Sequence, residues 1–237
     1  MSDPFLNPLM TTGIGSLPLT DPEKAASFVL EAGLSIPFWP QLPRRDWRER
    51  MVPQYGEQAP CVHFDEEREG VIYDPSDKYV ELESFYRSYM TEEVARFALN
   101  KRSAAGYYAF EEQAADTTWP IVKGQVTGPI TFTTSIKSSE NNLLYSDREL
   151  RDAAVKALAR NAQWQVQRLS RFAPGGVLMF CDEPVLAAYG TSGYAYITED
   201  DVKELEGEIF DAVRDAGGIT GMHVCGNSDW GVVIRSG

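Results

Sequence analysis

Short apolar runs, the pattern of strands, alternate along the chain with stretches where apolar residues recur every three or four positions, the pattern of helices. The runs Thr12–Ser16, Ile36–Leu42, Tyr107–Phe110, Pro120–Val126, Val177–Cys181 and Ile219–Cys225 predict six strands of one sheet. Val177–Cys181 is apolar throughout, as expected of a parallel strand covered on both faces. Thr20, Pro22 and Glu23 predict a helix start, and Gly33 its end. Leu82, Phe85, Tyr86, Tyr89, Val94 and Phe97 share helical spacing. Ser146 with Glu149 opens a helix whose apolar face is Leu150, Ala154, Leu158, Ala162, Val166 and Leu169. Thr198 opens another, which Gly217 and Gly218 stop. Between the second and third strands, Cys61–Phe64 and Val71–Tyr73 flank the acidic turn Asp65–Gly70 and predict a β-hairpin.

Repeated strand–helix units predict a parallel α/β fold. An open doubly wound sheet is one such arrangement. A (β/α)8 TIM barrel accounts better for the polar residues gathered at predicted strand ends: Ser16, Gln41, Gln125, Asp182, His223 and Cys225. In barrels, the carboxyl ends of the strands carry the active site. With six strands read, residues 1–237 are expected to form one barrel domain of about six βα units, stopping before the last two, with the hairpin near 61–73 as an insertion.

Charge and composition narrow the function classes. The formal net charge of −13 repels polyanions, which disfavours nucleic acid and anionic membranes as partners. No run reaches the roughly 18 apolar residues of a membrane helix. Met1–Met10 lacks the basic-then-apolar pattern of a secretory leader. Three cysteines, Cys61, Cys181 and Cys225, make no disulfide framework, and reduced thiols in a cytoplasmic protein are the expectation.

Five short motifs carry candidate chemistry. His223-Val224-Cys225 places imidazole and thiol two residues apart, on one side of a strand, where both could turn to one Zn²⁺. A buried cysteine beside a hydrogen-bonded histidine is the plainer alternative, since a catalytic zinc takes at least three protein ligands. Cys61-Val62-His63 repeats the spacing in reverse, without a third soft ligand nearby in sequence. Asp182-Glu183-Pro184 closes a strand with two carboxylates, suited either to a substrate ammonium or a proton, or to capping the turn before Pro184. Gly13-Ile14-Gly15-Ser16 and Thr127-Gly128-Pro129 are tight strand-end turns where backbone could approach a ligand.

Taken together, Thr12-Gly13-Ile14-Gly15-Ser16, Met51-Val52-Pro53-Gln54-Tyr55-Gly56-Glu57, Thr127-Gly128-Pro129, Asp182-Glu183-Pro184 and His223-Val224-Cys225 resemble, in order, the motifs of the cobalamin-independent methionine synthase catalytic barrel and its short single-barrel relatives. His223-Val224-Cys225-Gly226-Asn227 is also similar to the zinc motif of methylcobamide:thiol methyltransferases in the wider uroporphyrinogen-decarboxylase-like superfamily. The resemblance implies a zinc-dependent methyltransferase acting on a thiol, with homocysteine giving methionine. It implies zinc on His223 and Cys225, with further ligands from strands beyond the sixth. It implies a substrate amino-acid end held by Gly15, Ser16 and Asp182, with Asp182 in the catalytic site. Gln41 stands near where the synthases use a Glu for the substrate amine. A methylated corrinoid or methyl-folate is the implied donor, with a corrinoid protein as a partner. Another thiol, such as coenzyme M, or a non-catalytic barrel that only binds ligand, are the alternatives. Open sheet edges imply a homo-oligomer.

Overall fold

The computed structural model describes residues 9–91 and 93–236. Most of the Met1–Met10 stretch considered above for a leader therefore lies outside the described residues. The elements in chain order are α1 (Pro22–Glu31), β1 (Val62–Asp65), β2 (Gly70–Tyr73), α2 (Lys78–Thr91), α3 (Ala105–Ala114), β3 (Val122–Thr127), α4 (Pro129–Ser135), α5 (Arg148–Leu169), β4 (Val177–Asp182), α6 (Glu199–Asp215), β5 (Ile219–His223) and α7 (Trp230–Arg235). The fold is mixed α/β, built on the parallel sheet β3-β4-β5. No helix among the described residues is long and apolar enough to cross a membrane.

The first two predicted strands are present as parallel bridges only. Ser16 pairs with Gln41, and Phe38 pairs with Lys123 of β3. Backbone hydrogen bonds run from Leu17 to the Gln41 carbonyl, from Gln41 to Gly15, and from Lys123 to Pro37. The parallel row is therefore the Ser16 segment, the Phe38 segment, β3, β4 and β5, in sequence order. Among the described residues β5 pairs with β4 alone, and the row does not close into a barrel.

Tyr107–Phe110 is not a strand. It lies within α3, so the row has five members where the sequence predicts six. The aromatic run imitates a strand, but its buried residues Tyr107, Phe110 and Ala114 are three and four positions apart, which is helical spacing. Tyr107 packs edge-on to Trp39 at 5.7 Å and lies 4.9 Å from Trp164 of α5, while Phe110 meets Phe172.

Two helix starts fall one residue later than predicted. Asp21, not Thr20, caps α1 by accepting from Lys24 N at 3.2 Å, and Asp147, not Ser146, caps α5 by accepting from Leu150 N at 3.2 Å. A carboxylate is the stronger acceptor for an orphan helix N–H. The run from Leu82 to Phe97 divides into α2 and a separate 3₁₀ turn, Val94–Phe97. The hairpin forms as predicted, with Val62 opposite Tyr73 and Asp65 opposite Gly70. Thr198 caps α6 in a full capping box with Asp201.

The sheet's two faces differ, because alternate residues point to opposite sides. One face carries Val177, Met179 and Cys181 against α5 and α6, and belongs to the main core. On the other, Ile36, Ile121 and Leu178 form a small separate apolar cluster with Met10, Phe180 and Ile219. That second face would be a barrel's interior. In register along it stand Lys123, Leu178 and Ile219, then Gln125, Phe180 and Gly221, then Thr127, Asp182 and His223. Polarity therefore rises toward the carboxyl ends of the strands.

Candidate functional site

Asp182 ends β4 on the inner face and is only 7% exposed, and its Oδ1 has no hydrogen-bond partner. An unpartnered buried carboxylate oxygen is expensive, and native proteins keep few of them. Burial pushes the Asp182 carboxyl above its usual range; the Lys123 ammonium opposes that shift, and the neighbouring Glu183 adds to it. His223 stands beside Asp182 at the end of β5, half-buried. Burial lowers its pKa, and the Lys123 charge lowers it further. Its imidazole is thus held toward the neutral form, the form that can bind a metal or take a proton.

Ser16 and Gln41 meet across the first bridge. The Ser16 hydroxyl donates to Gln41 Oε1 at 2.6 Å, Gln41 Nε2 donates to Gln54 Oε1 at 2.8 Å, and Gln54 Nε2 donates to the Ser103 carbonyl at 2.6 Å. The Ser16 proton is committed to Gln41, so what Ser16 offers a ligand is its lone pairs. Gly15 sits at φ +148°, and a Cβ there would stand 2.8 Å from the Gln125 amide nitrogen, so a side chain is excluded on both counts. Gln125 in turn donates to the Trp39 carbonyl at 3.1 Å.

Glu183, the partner carboxylate in Asp182-Glu183-Pro184, faces away from this cluster and caps α4. It accepts from Ile130 N at 2.7 Å, Thr131 N at 2.9 Å and Thr131 Oγ1 at 2.6 Å. This contact links two of the sequence motifs. A Cβ at Gly128 would lie 2.1 Å from Glu183 Cγ, so Thr127-Gly128-Pro129 is shaped to receive that side chain. Of the two carboxylates, Glu183 is taken up by the start of α4, and Asp182 keeps an unpartnered oxygen.

The metal pair is not assembled by strand geometry. β5 ends at His223, and Cys225 lies two residues beyond it, exposed, so the alternation that aligned the two side chains does not extend to Cys225. Among the described residues no group of three or more His, Cys, Asp or Glu side chains could hold a metal ion. In the reversed pair, Cys61 is buried while His63 is exposed on the hairpin, and burial pushes the Cys61 thiol up to about 12. Cys181 belongs to the helix-side core, its Sγ 3.0 Å from Glu206 Oε2.

Sequence reasoning missed Lys123. It is fully buried near the start of β3, with Nζ 2.5 Å from the Ile14 carbonyl, 3.2 Å from Gln125 Oε1 and 4.8 Å from the Phe180 ring centroid. Burial lowers its pKa, and the Asp182 charge holds it up. The one available signal was a lysine inside a predicted strand, directly after the apolar pair Ile121-Val122. Surface clefts lie elsewhere: one of about 310 Å³ is lined by Glu57, Gln58, Glu81 and Arg96, and one of about 510 Å³ by Lys101, Tyr108, Arg168 and Arg171. Neither contains a residue of the sheet-end cluster, where the unpartnered Asp182 Oδ1 and the shifted charges of Asp182, Lys123 and His223 coincide.

No known family model matches the chain, and no curated protein matches it.

Proposed function

We propose that the chain is a methyltransferase barrel of the cobalamin-independent methionine synthase type, acting on an amino-acid thiol such as homocysteine. Sheet order supports the (β/α)8 reading. Five parallel segments follow one another in sequence order, whereas a doubly wound sheet reverses its order at a switch point. The observation that carries the functional reading is the unpartnered Oδ1 of buried Asp182, at the sheet end that barrels use for chemistry.

Asp182 and Ser16 both present acceptors, and together they suit a ligand ammonium. Gly15 lends close backbone, and Gln41 fixes the Ser16 hydroxyl. A carboxylate that gains an ammonium partner is held ionised, which offsets the cost of its burial. His223 and Cys225 have the donor chemistry of a zinc site, but two donors fall short of the three a catalytic zinc takes from protein. The described residues do not complete that set, and no step is routed through the metal. The chain's own residues bind and orient: an ammonium fixed at Asp182 leaves the thiol to be presented to a methyl donor, for which a methylated corrinoid or methyl-folate is the proposed class. Alignment within about 3–3.5 Å would then accelerate the displacement.

The test is methyl transfer from methylcobalamin or methyl-folate, with homocysteine compared against coenzyme M, in the presence and absence of added zinc. Methionine formation with little methylation of coenzyme M is expected, because coenzyme M has no ammonium for Asp182. Equal transfer to both thiols contradicts the amino-acid reading. Homocysteine binding with no transfer from either donor leaves a ligand-binding barrel without methyltransferase activity.

A further inference from the structure

The parallel row poses a mechanical problem. The turn that carries Gly15 and Ser16 is tied to its neighbour by few backbone bonds, and it must stand at a fixed distance from Asp182, three segments away. We propose that Lys123 is the positioning residue of the candidate site, a cross-brace that reaches from β3 past the Phe38 segment to hold the Gly13–Ser16 turn by the carbonyl of Ile14. The backbone of Lys123 already binds the intervening segment, donating to Pro37 O at 2.8 Å. Its side chain passes that segment and donates to Ile14 O at 2.5 Å. Gln125, one step along the same face, accepts from the ammonium at 3.2 Å and lies against the Cα of Gly15. One buried cation thus fixes both residues that precede Ser16.

Its surroundings fit a brace better than a ligand contact. Lys123 is 0% exposed, seated between the rings of Phe38 and Phe180 at 5.9 and 4.8 Å. A solute cannot touch it from the sheet end. It shares no ion pair or hydrogen bond with Asp182, although their charges act on each other. Here one N–H goes to the Ile14 carbonyl of the turn and another to Gln125 of β3, and the Asp182 oxygen stays unpartnered.

The proposal rests on the reading of Ser16 as a ligand-binding group, so its test has one arm without ligand. Amide hydrogen exchange is measured on the full chain in wild type, Lys123→Met and Lys123→Arg. In Lys123→Met the amides of Leu17 and Gln41, which bond across the first bridge, should exchange at least about tenfold faster, while those of β4 and β5 keep their rates. Uniform acceleration across the sheet, or none at Leu17 and Gln41, overturns the brace. Homocysteine titration is the second arm. Lys123→Met should weaken binding about tenfold, and Lys123→Arg, which keeps charge and donors, should recover most of it. Equal weakening in the two folded variants overturns the positioning role. Absence of homocysteine binding in wild type, with the exchange pattern as expected, removes the thiol reading and leaves the brace standing. Should Lys123→Met fail to fold, Lys123→Gln, one atom shorter and uncharged but still polar, takes its place; unchanged exchange at Leu17 and Gln41 in that variant also refutes the proposal.

Discussion

Asp182 and Glu183 are adjacent in sequence, yet Asp182 ends β4 on the sheet's inner face while Glu183, one residue past the strand, turns to the start of α4, and that separation decides their roles. Glu183 spends its oxygens on the start of α4. Behind it lies Glu206 of α6, also fully buried and raised well above the usual carboxylate range by burial and by the Glu183 charge. Burial and the Glu183 charge thus favour the protonated form of Glu206 more in the folded chain than in the unfolded one. A carboxyl with a raised folded pKa contributes stability that is complete below its unfolded pKa, near 4.3, and is lost as pH rises through the folded pKa. Urea midpoints should accordingly fall from mildly acidic toward alkaline pH, and Glu206→Gln, which cannot ionise, should flatten that fall. Identical slopes in wild type and variant would show that Glu206 does not titrate in this range. None of this was legible in sequence, where Glu206 is one acidic residue of an acidic helix. Asp182 was legible as a candidate because it ends a clear apolar run, but its unpartnered oxygen was not.

Among the elements, β4 was readable because a strand covered on both faces is a continuous apolar run, here Val177–Cys181, while β3 was readable despite Lys123 and Gln125 within it. The Ser16 and Phe38 segments were placed correctly but form only bridges, since Gly13, Gly15 and Pro37 leave little regular backbone for a ladder. The Tyr107–Phe110 run was misread because aromatic residues favour strands, and tertiary packing on Trp39 and Trp164 overrode that preference. Helix α4 illustrates how an element depends on one residue outside it. With Gly128 at its cap and Glu183 on its first N–H groups, any side chain at position 128 must displace Glu183. Gly128→Ala should lower stability by about 1–3 kcal/mol, the range for forced repacking. A denaturant midpoint equal to wild type would show that the Glu183 contact is dispensable.

On the scale of the whole molecule, a sequential row of parallel segments has one face packed by helices and the other lined increasingly by polar groups toward the strand ends. That gradient sets Ser16, Gln41, Asp182 and His223 at one end of the sheet, as the sequence predicted, while Cys225 lies past the end of its strand. The loss of Cys225 has a simple cause: a period of two holds only while the strand continues, and β5 stops at His223. In the proposed reaction, selection of an amino-acid thiol rests on Asp182 recognising an ammonium. The direct measurement is a calorimetric cycle in which homocysteine and its des-amino analogue 4-mercaptobutanoate are each titrated into wild type and Asp182→Asn. Wild type should prefer homocysteine by about tenfold or more, equivalent to roughly 1.4 kcal/mol, and the variant should lose that preference. The same preference in both proteins would contradict the central claim.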